Sequence, residues 1–207
     1  MYHWINFIIM SLLILIVPGP SFFAVIKNST HGGIKSGIST TLGIASAHLI
    51  YATLATLGLI FILVSSQTIF LLIKILGAAY IIYLGLKNIL NAHKFEYDKS
   101  DGLNTEKPDL FKSYKQGFIT MILNPKAILF YISILPQFIN HQSNQSIQVA
   151  IFSILFIITV ITWFSLCTLV FNYIKIIFEK PKVKMCFDYI VSTTLIALSL
   201  KILTTKH

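Results

Sequence analysis

No arginine occurs among the 207 residues, and only 11% of them carry a charge. Without a guanidinium, planar two-pronged recognition of a carboxylate or phosphate is excluded. An ordinary globular protein holds roughly 25% charged residues, whereas 56% of this chain is apolar and its mean hydropathy is +0.80. A soluble chain of this size has too much surface for its volume to hide so many apolar side chains, so its solvent is lipid. The two cysteines, Cys167 and Cys186, form no CxxC pair and lie far apart, which excludes a disulfide framework and leaves free thiols. P-loop, HExxH and GxSxG patterns are also missing, so neither ATP-driven transport by this chain nor a soluble-enzyme chemistry is expected, and no metal or cofactor.

The basic residues are all lysine, sixteen of them, and the net charge is +9. They form no stripe with interleaved aromatics, so nucleic acid is not the expected partner. Instead they sit between apolar runs. A membrane span needs roughly 20 apolar residues, and six stretches qualify: about Tyr2–Ile26, Ile38–Val64, Thr68–Leu90, Tyr114–Phe138, Ile147–Ile174 and Lys184–Leu203. Strand-period alternation is absent, which removes a barrel. The N-terminal run has no preceding Lys and is interrupted by Pro18-Gly19-Pro20, so it reads as a retained span and not a cleaved signal.

Twelve of the sixteen lysines fall in the first, third and fifth links, while the Ser65-Ser66-Gln67 and Asn140–Ser146 turns hold none. The positive-inside rule then places those three links in the cytoplasm and both termini outside. Phe95–Asp109 is the one long polar tract, with five of the seven acids, and has the composition of a solvated linker.

The halves resemble each other weakly. Gly19-Pro20-Ser21-Phe22-Phe23 matches Asn124-Pro125-Lys126-Ala127-Ile128, and Leu84-Gly85-Leu86-Lys87 matches Leu198-Ser199-Leu200-Lys201. Three spans per half would invert one half relative to the other. The expected fold is therefore an all-α membrane protein of six transmembrane helices. It forms one domain over 1–207, a 3+3 inverted repeat (about 1–92 and 112–207) with broken first and fourth helices and a cytoplasmic loop over 93–111.

Both breaks could carry chemistry. Proline removes a backbone donor and clashes with the preceding turn, and the carbonyls it frees cannot be left unpaired in lipid. Pro18 lies about 13 Å, and Lys126 about 15 Å, from the cytoplasmic ends of their spans at 1.5 Å per residue. Two interruptions at one depth have the form of a broken-helix binding site. Each restarted helix would turn free N–H groups into the break, suited to a carboxylate. Lys126 would add a charge and Asn124 an amide, so a zwitterionic amino acid fits Pro18, Gly19, Pro20, Asn124, Pro125 and Lys126. A lysine that bonds helix-end carbonyls is the blander alternative for Lys126. Proton coupling would fall to His48, Lys126 or Asp188, since no acid lies centrally in a span; a simple packing histidine and an interfacial salt bridge are the alternatives. The small residues Gly37, Gly43, Ala47, Gly58, Gly77, Ala78, Ala79 and Gly85 are read as close helix packing.

Together these residues resemble the LysE/RhtB family of lysine, homoserine and threonine exporters. The resemblance rests on Val17-Pro18-Gly19-Pro20, on Lys74-Ile75-Leu76-Gly77-Ala78-Ala79-Tyr80-Ile81-Ile82-Tyr83-Leu84-Gly85-Leu86-Lys87, and on Gly117-Phe118. It continues through Leu123-Asn124-Pro125-Lys126-Ala127 into Leu135-Pro136-Gln137-Phe138. It implies secondary, proton-coupled export of amino acids or similar metabolites across a bacterial inner membrane, with a small zwitterion and membrane lipid as partners. Many relatives carry an acid in the second span near the position of His48, which leaves the coupling residue open here. Homodimerisation is left open too. A membrane-embedded enzyme and a non-transporting assembly partner are the competing classes.

Overall fold

The computed structural model describes residues 2–58, 108–140 and 143–174 throughout, with scattered helical positions within 68–89 and 186–200. The expected second, third and sixth spans lie partly outside the described residues, and so does most of the polar tract Phe95–Asp109, of which only Pro108 and Asp109 are described. Every regular element among the described residues is helical.

Helix α1 (Tyr2–Ile16) stops where Pro18 and Gly19 interrupt it. Helix α2 (Pro20–Thr56) restarts with a proline in its first turn, where the missing N–H costs nothing. Gly33 breaks α2, with φ 74° and ψ −172°, a backbone state essentially confined to glycine. The break is a reversal. Residues twelve apart on a straight helix would be about 18 Å apart, yet the Asn28 Nδ2 donates to Thr40 Oγ1 at 2.7 Å. The link expected between the first and second spans, which carries Lys27 and Lys35, is thus helical on both sides of a single-residue turn. The second arm ends at Thr56, with Gly58 at φ 72° after it, and residues 59–64 of the expected second span lie outside the described residues.

Helix α3 (Leu110–Ile122) is capped by the Asp109 carboxylate, which accepts from the Lys112 N–H. After Leu123 and Asn124 the chain restarts as α4 (Pro125–Leu129). It continues as a π turn (Phe130–Ile134) and a 3₁₀ turn (Leu135–Phe138). Pro136 supplies no N–H there, so regular α bonding cannot pass it. The two parts of this broken helix are bent by 56°. Helix α5 (Gln145–Tyr173) is capped by Asn144. It buries Phe152, Phe156, Val160, Phe164 and Cys167, at steps of three or four, and exposes Ile147, Ile151, Ile154 and Ile158.

Pairings fix the directions. Phe7 meets Phe152 and Phe22 meets Phe171, so α1 and the first arm of α2 run parallel to α5 as one broken pass. The second arm is antiparallel to α5, since Gly37 faces Thr168 and His48 faces Phe156. That arm is parallel to α3, with Ser39 on Leu110 and Tyr51 on Ile122. Among the scattered helical positions further along, Gly85 approaches Ser192 and Ile196.

By length and apolar composition α2 and α5 each qualify to cross a membrane, α2 with the reversal at Gly33 set aside, and the bent α3–α4 pair gives a third candidate if taken as one span. The tightest packing joins α2 to α3. A Cβ on Gly43 would collide with the Tyr114 carbonyl oxygen, and one on Gly117 with the Thr40 carbonyl. These helices touch backbone to backbone, as expected of Gly43; Gly58, read the same way in the sequence, has nothing within 4 Å and serves the chain turn instead. Cys167 is buried and Cys186 exposed, and both are free.

Candidate functional site

The breaks of the two helices meet. Lys126, in the first turn of α4, sends its ammonium across to the last carbonyls of α1, donating to Ile14 O at 2.5 Å and Val17 O at 2.8 Å. A cation at a helix C-terminus is favourable, because the free carbonyls there carry a partial negative charge. The charge that the sequence offered to a carboxylate is therefore first engaged by the scaffold, as in the alternative weighed for this lysine. Pro18 is exposed at the break, while Gly19, Pro20 and Asn124 are buried.

Each break creates two helix ends, and an unpaired backbone group at such an end is costly away from water. Three of the four ends have side-chain partners. Lys126 caps the end of α1. At the end of α3, the Tyr51 hydroxyl donates to Ile122 O at 2.6 Å. At the start of α4, Asn124 Oδ1 accepts from the Lys126 N–H at 3.0 Å. The fourth end, the start of α2, has no side-chain cap.

A cavity of about 30 Å³ lies against these ends, lined by Gly19, Ser21 and Phe22 from α2, His48 from its second arm, and Asn124 and Lys126 from the other break. Ile14, Leu15, Val17, Met121, Ala127, Phe130, Phe156 and Phe164 complete an otherwise apolar wall with no acidic residue in it. A volume of this order holds about two waters.

His48 is 2% exposed, and neither ring nitrogen has a hydrogen-bond partner. Its ring lies edge-on to Phe156 at 5.0 Å between centroids, beside Tyr131 at 5.9 Å and Tyr51 at 6.5 Å. The Tyr131 hydroxyl donates to the His48 carbonyl at 3.2 Å. Phe130 stacks on Phe156 at 3.6 Å. The π turn lets the adjacent residues Phe130 and Tyr131 both point inward, and both are fully buried.

Of the residues singled out in the sequence, Gly19, Asn124, Lys126 and His48 line one cavity, and Pro18 and Pro20 frame it. The Pro125 backbone opens α4, its side chain lying outside the described residues, as does Asp188. Sequence reasoning missed Ser21, Tyr51 and Tyr131. Tyr51 was within reach, since it follows His48 by three residues and so shares its helix face. Among the described residues, no group of three or more His, Cys, Asp or Glu could hold a metal.

Comparison with known proteins gives a consistent picture. A family model described as LysE type translocator matches residues 12–206. An uncharacterized membrane protein of Bacillus subtilis, YrhP, is 31% identical over 206 residues, covering 97% of this chain and 98% of its own. The leucine efflux protein of Salmonella typhimurium is 34% identical over 139 residues, which are 67% of this chain and 63% of the relative. The uncharacterized membrane protein PA4757 of Pseudomonas aeruginosa is 29% identical over 128 residues, 61% of this chain and 59% of the relative. No solved structure matches. With its apolar helices, the chain is a multi-pass membrane protein of a transporter family.

Proposed function

The chain belongs to the LysE type translocators, and on that premise we propose that it is a secondary exporter of amino acids with uncharged side chains, working from the cytoplasm outward. The observation that carries this reading is the meeting of both helix breaks on one cavity, bridged by the Lys126 ammonium. Polar groups at one end and an apolar wall elsewhere suit a zwitterion with a hydrocarbon side chain. The absence of an acid from the wall disfavours a second positive charge on the cargo. The name of the Salmonella relative, a leucine efflux protein, supports the same class.

Six spans in a 3+3 inverted repeat, in a bacterial inner membrane with both termini outside, are the topology that goes with this reading. The like construction of the breaks supports the repeat: each restarted helix has a proline in its first turn, after an extended Gly19 or Asn124. Export is coupled to protons through His48, whose ring lies against the cavity with neither nitrogen hydrogen-bonded. Lys126 and Asp188 are the further coupling candidates. No catalytic step is assigned to any residue.

Purified protein in liposomes preloaded with labelled amino acids tests the proposal, using leucine, isoleucine, valine, methionine, phenylalanine, lysine and glutamate. Efflux of the apolar members, accelerated by an imposed proton gradient, is the expected result. No flux of any member above empty liposomes sinks it, and flux of lysine alone sinks the substrate class.

A further inference from the structure

The four helix ends at the two breaks are not equivalent, and their inequality locates the negative end of the cargo. At the start of α2, Pro20 has no N–H, and the N–H groups of Ser21 and Phe22 precede the first intrahelical bond, which Phe23 makes to Gly19 O at 3.2 Å. No side chain caps them. Gly19 has nothing within 4 Å of the place a Cβ would occupy, so there is free space beside this helix end. The corresponding end of α4 is closed by Asn124 Oδ1.

A second, independent observation points the same way. The Ser21 side chain is 4% exposed, lines the cavity, and its hydroxyl has no hydrogen-bond partner in the protein. Further along α2, Thr30 and Thr40 turn their hydroxyls back onto carbonyls four residues earlier. Ser21 does not. A buried hydroxyl without a partner costs free energy, and an acceptor placed in the cavity would remove that cost.

We propose that the start of α2 is the carboxylate subsite: the backbone N–H groups of Ser21 and Phe22 and the Ser21 hydroxyl bind the cargo carboxylate. Lys126, held on the α1 carbonyls beside it, contributes its field and not a direct grip. The proposal rests on the exporter reading above and goes beyond it by assigning one end of the cargo to one helix end.

The test compares leucine with leucinamide, which keeps the amine and side chain but carries no carboxylate. Each is measured as a competitor of labelled leucine efflux from liposomes, for the parent protein, Ser21→Ala and Ser21→Thr. The parent should prefer leucine strongly. In Ser21→Ala that preference should fall about tenfold, as expected for losing one hydrogen bond to a charged group, and in Ser21→Thr, which keeps a hydroxyl, it should largely return. Melting of the empty protein should be unchanged or slightly higher in Ser21→Ala, because no protein partner is lost. An undiminished preference in Ser21→Ala overturns the subsite while leaving the exporter intact. A lowered melting temperature with unchanged preference also overturns it, by making Ser21 structural. A parent protein that moves no amino acid overturns the exporter reading and the subsite with it.

Discussion

Replacing Gly117 by alanine probes the contact that holds the second arm of α2 against α3. The new methyl group would be forced into the Thr40 carbonyl, with the Thr40 Cα at 3.1 Å. Backbone in a helix cannot swing aside as a side-chain tip can, so the two helices must part by a good fraction of an ångström. Overpacking of this kind costs about 1–3 kcal/mol. For a chain of 150–250 residues that is a fall in melting temperature of about 2–4 °C per kcal/mol, or roughly 2–12 °C in all. Gly43→Ala, which meets the Tyr114 carbonyl, should cost a similar amount. The double variant should cost less than the sum, because once the helices have parted both methyl groups share the gap. Ser46→Ala is the control: it lies on the same arm, and its hydroxyl bonds only to Leu42 O four residues earlier. Thermal unfolding in detergent, followed by fluorescence of Trp4 and Trp163, measures all four. If Gly117→Ala melts within 1 °C of the parent, the backbone-to-backbone contact is not a feature of the folded protein.

Lys126→Met leaves Ile14 O and Val17 O without their donor. It should abolish export while the protein still inserts, checked by liposome flux beside membrane fractionation; retained flux removes Lys126 from the site. Tyr51→Phe strips the hydrogen bond from Ile122 O at the end of α3, and a loss of about 1–3 kcal/mol is expected. A melting temperature equal to the parent's would show that this helix end does not need Tyr51. Gly33→Ala should destabilise by about 1–3 kcal/mol. Gly33→Asn should not rescue it, because asparagine tolerates the left-handed helical region and not the extended, positive-φ state found here; melting of both variants decides.

Much of the plan was legible because lipid makes its demands in simple terms. The apolar run that became α5 was placed to within two residues at its N-terminal end and one at its C-terminal end, since nothing in Ile147–Ile174 interrupts it. The breaks were legible because proline and glycine act locally: α1 stops at Ile16 and α4 starts at Pro125, where the covalent chemistry requires. Their meeting was suggested by equal depth alone. The one-residue turn at Gly33 was hidden, because lysines on both sides look like an ordinary cytoplasmic loop. So was the π turn, whose cause, Pro136, acts on residues before it. The roles of Tyr51 and Tyr131 depend on which carbonyls a neighbouring helix leaves free, a tertiary fact that no periodicity contains.

The reversal at Gly33 gives the site the geometry of a pair of tweezers. Ser21 lies twelve residues before the pivot and His48 fifteen after it, so the jaws are about 18 and 22 Å long at 1.5 Å per residue. They close on the same cavity because their lengths nearly match. The Asn28–Thr40 bond and the packing of Ser29 on Gly37 clamp the joint itself. With levers of this length, a swing of only about 10° at the pivot parts the tips by about 3.5 Å. Widening the cavity between the jaws by the width of a carbon atom would thus need little angular freedom, all of it at one glycine.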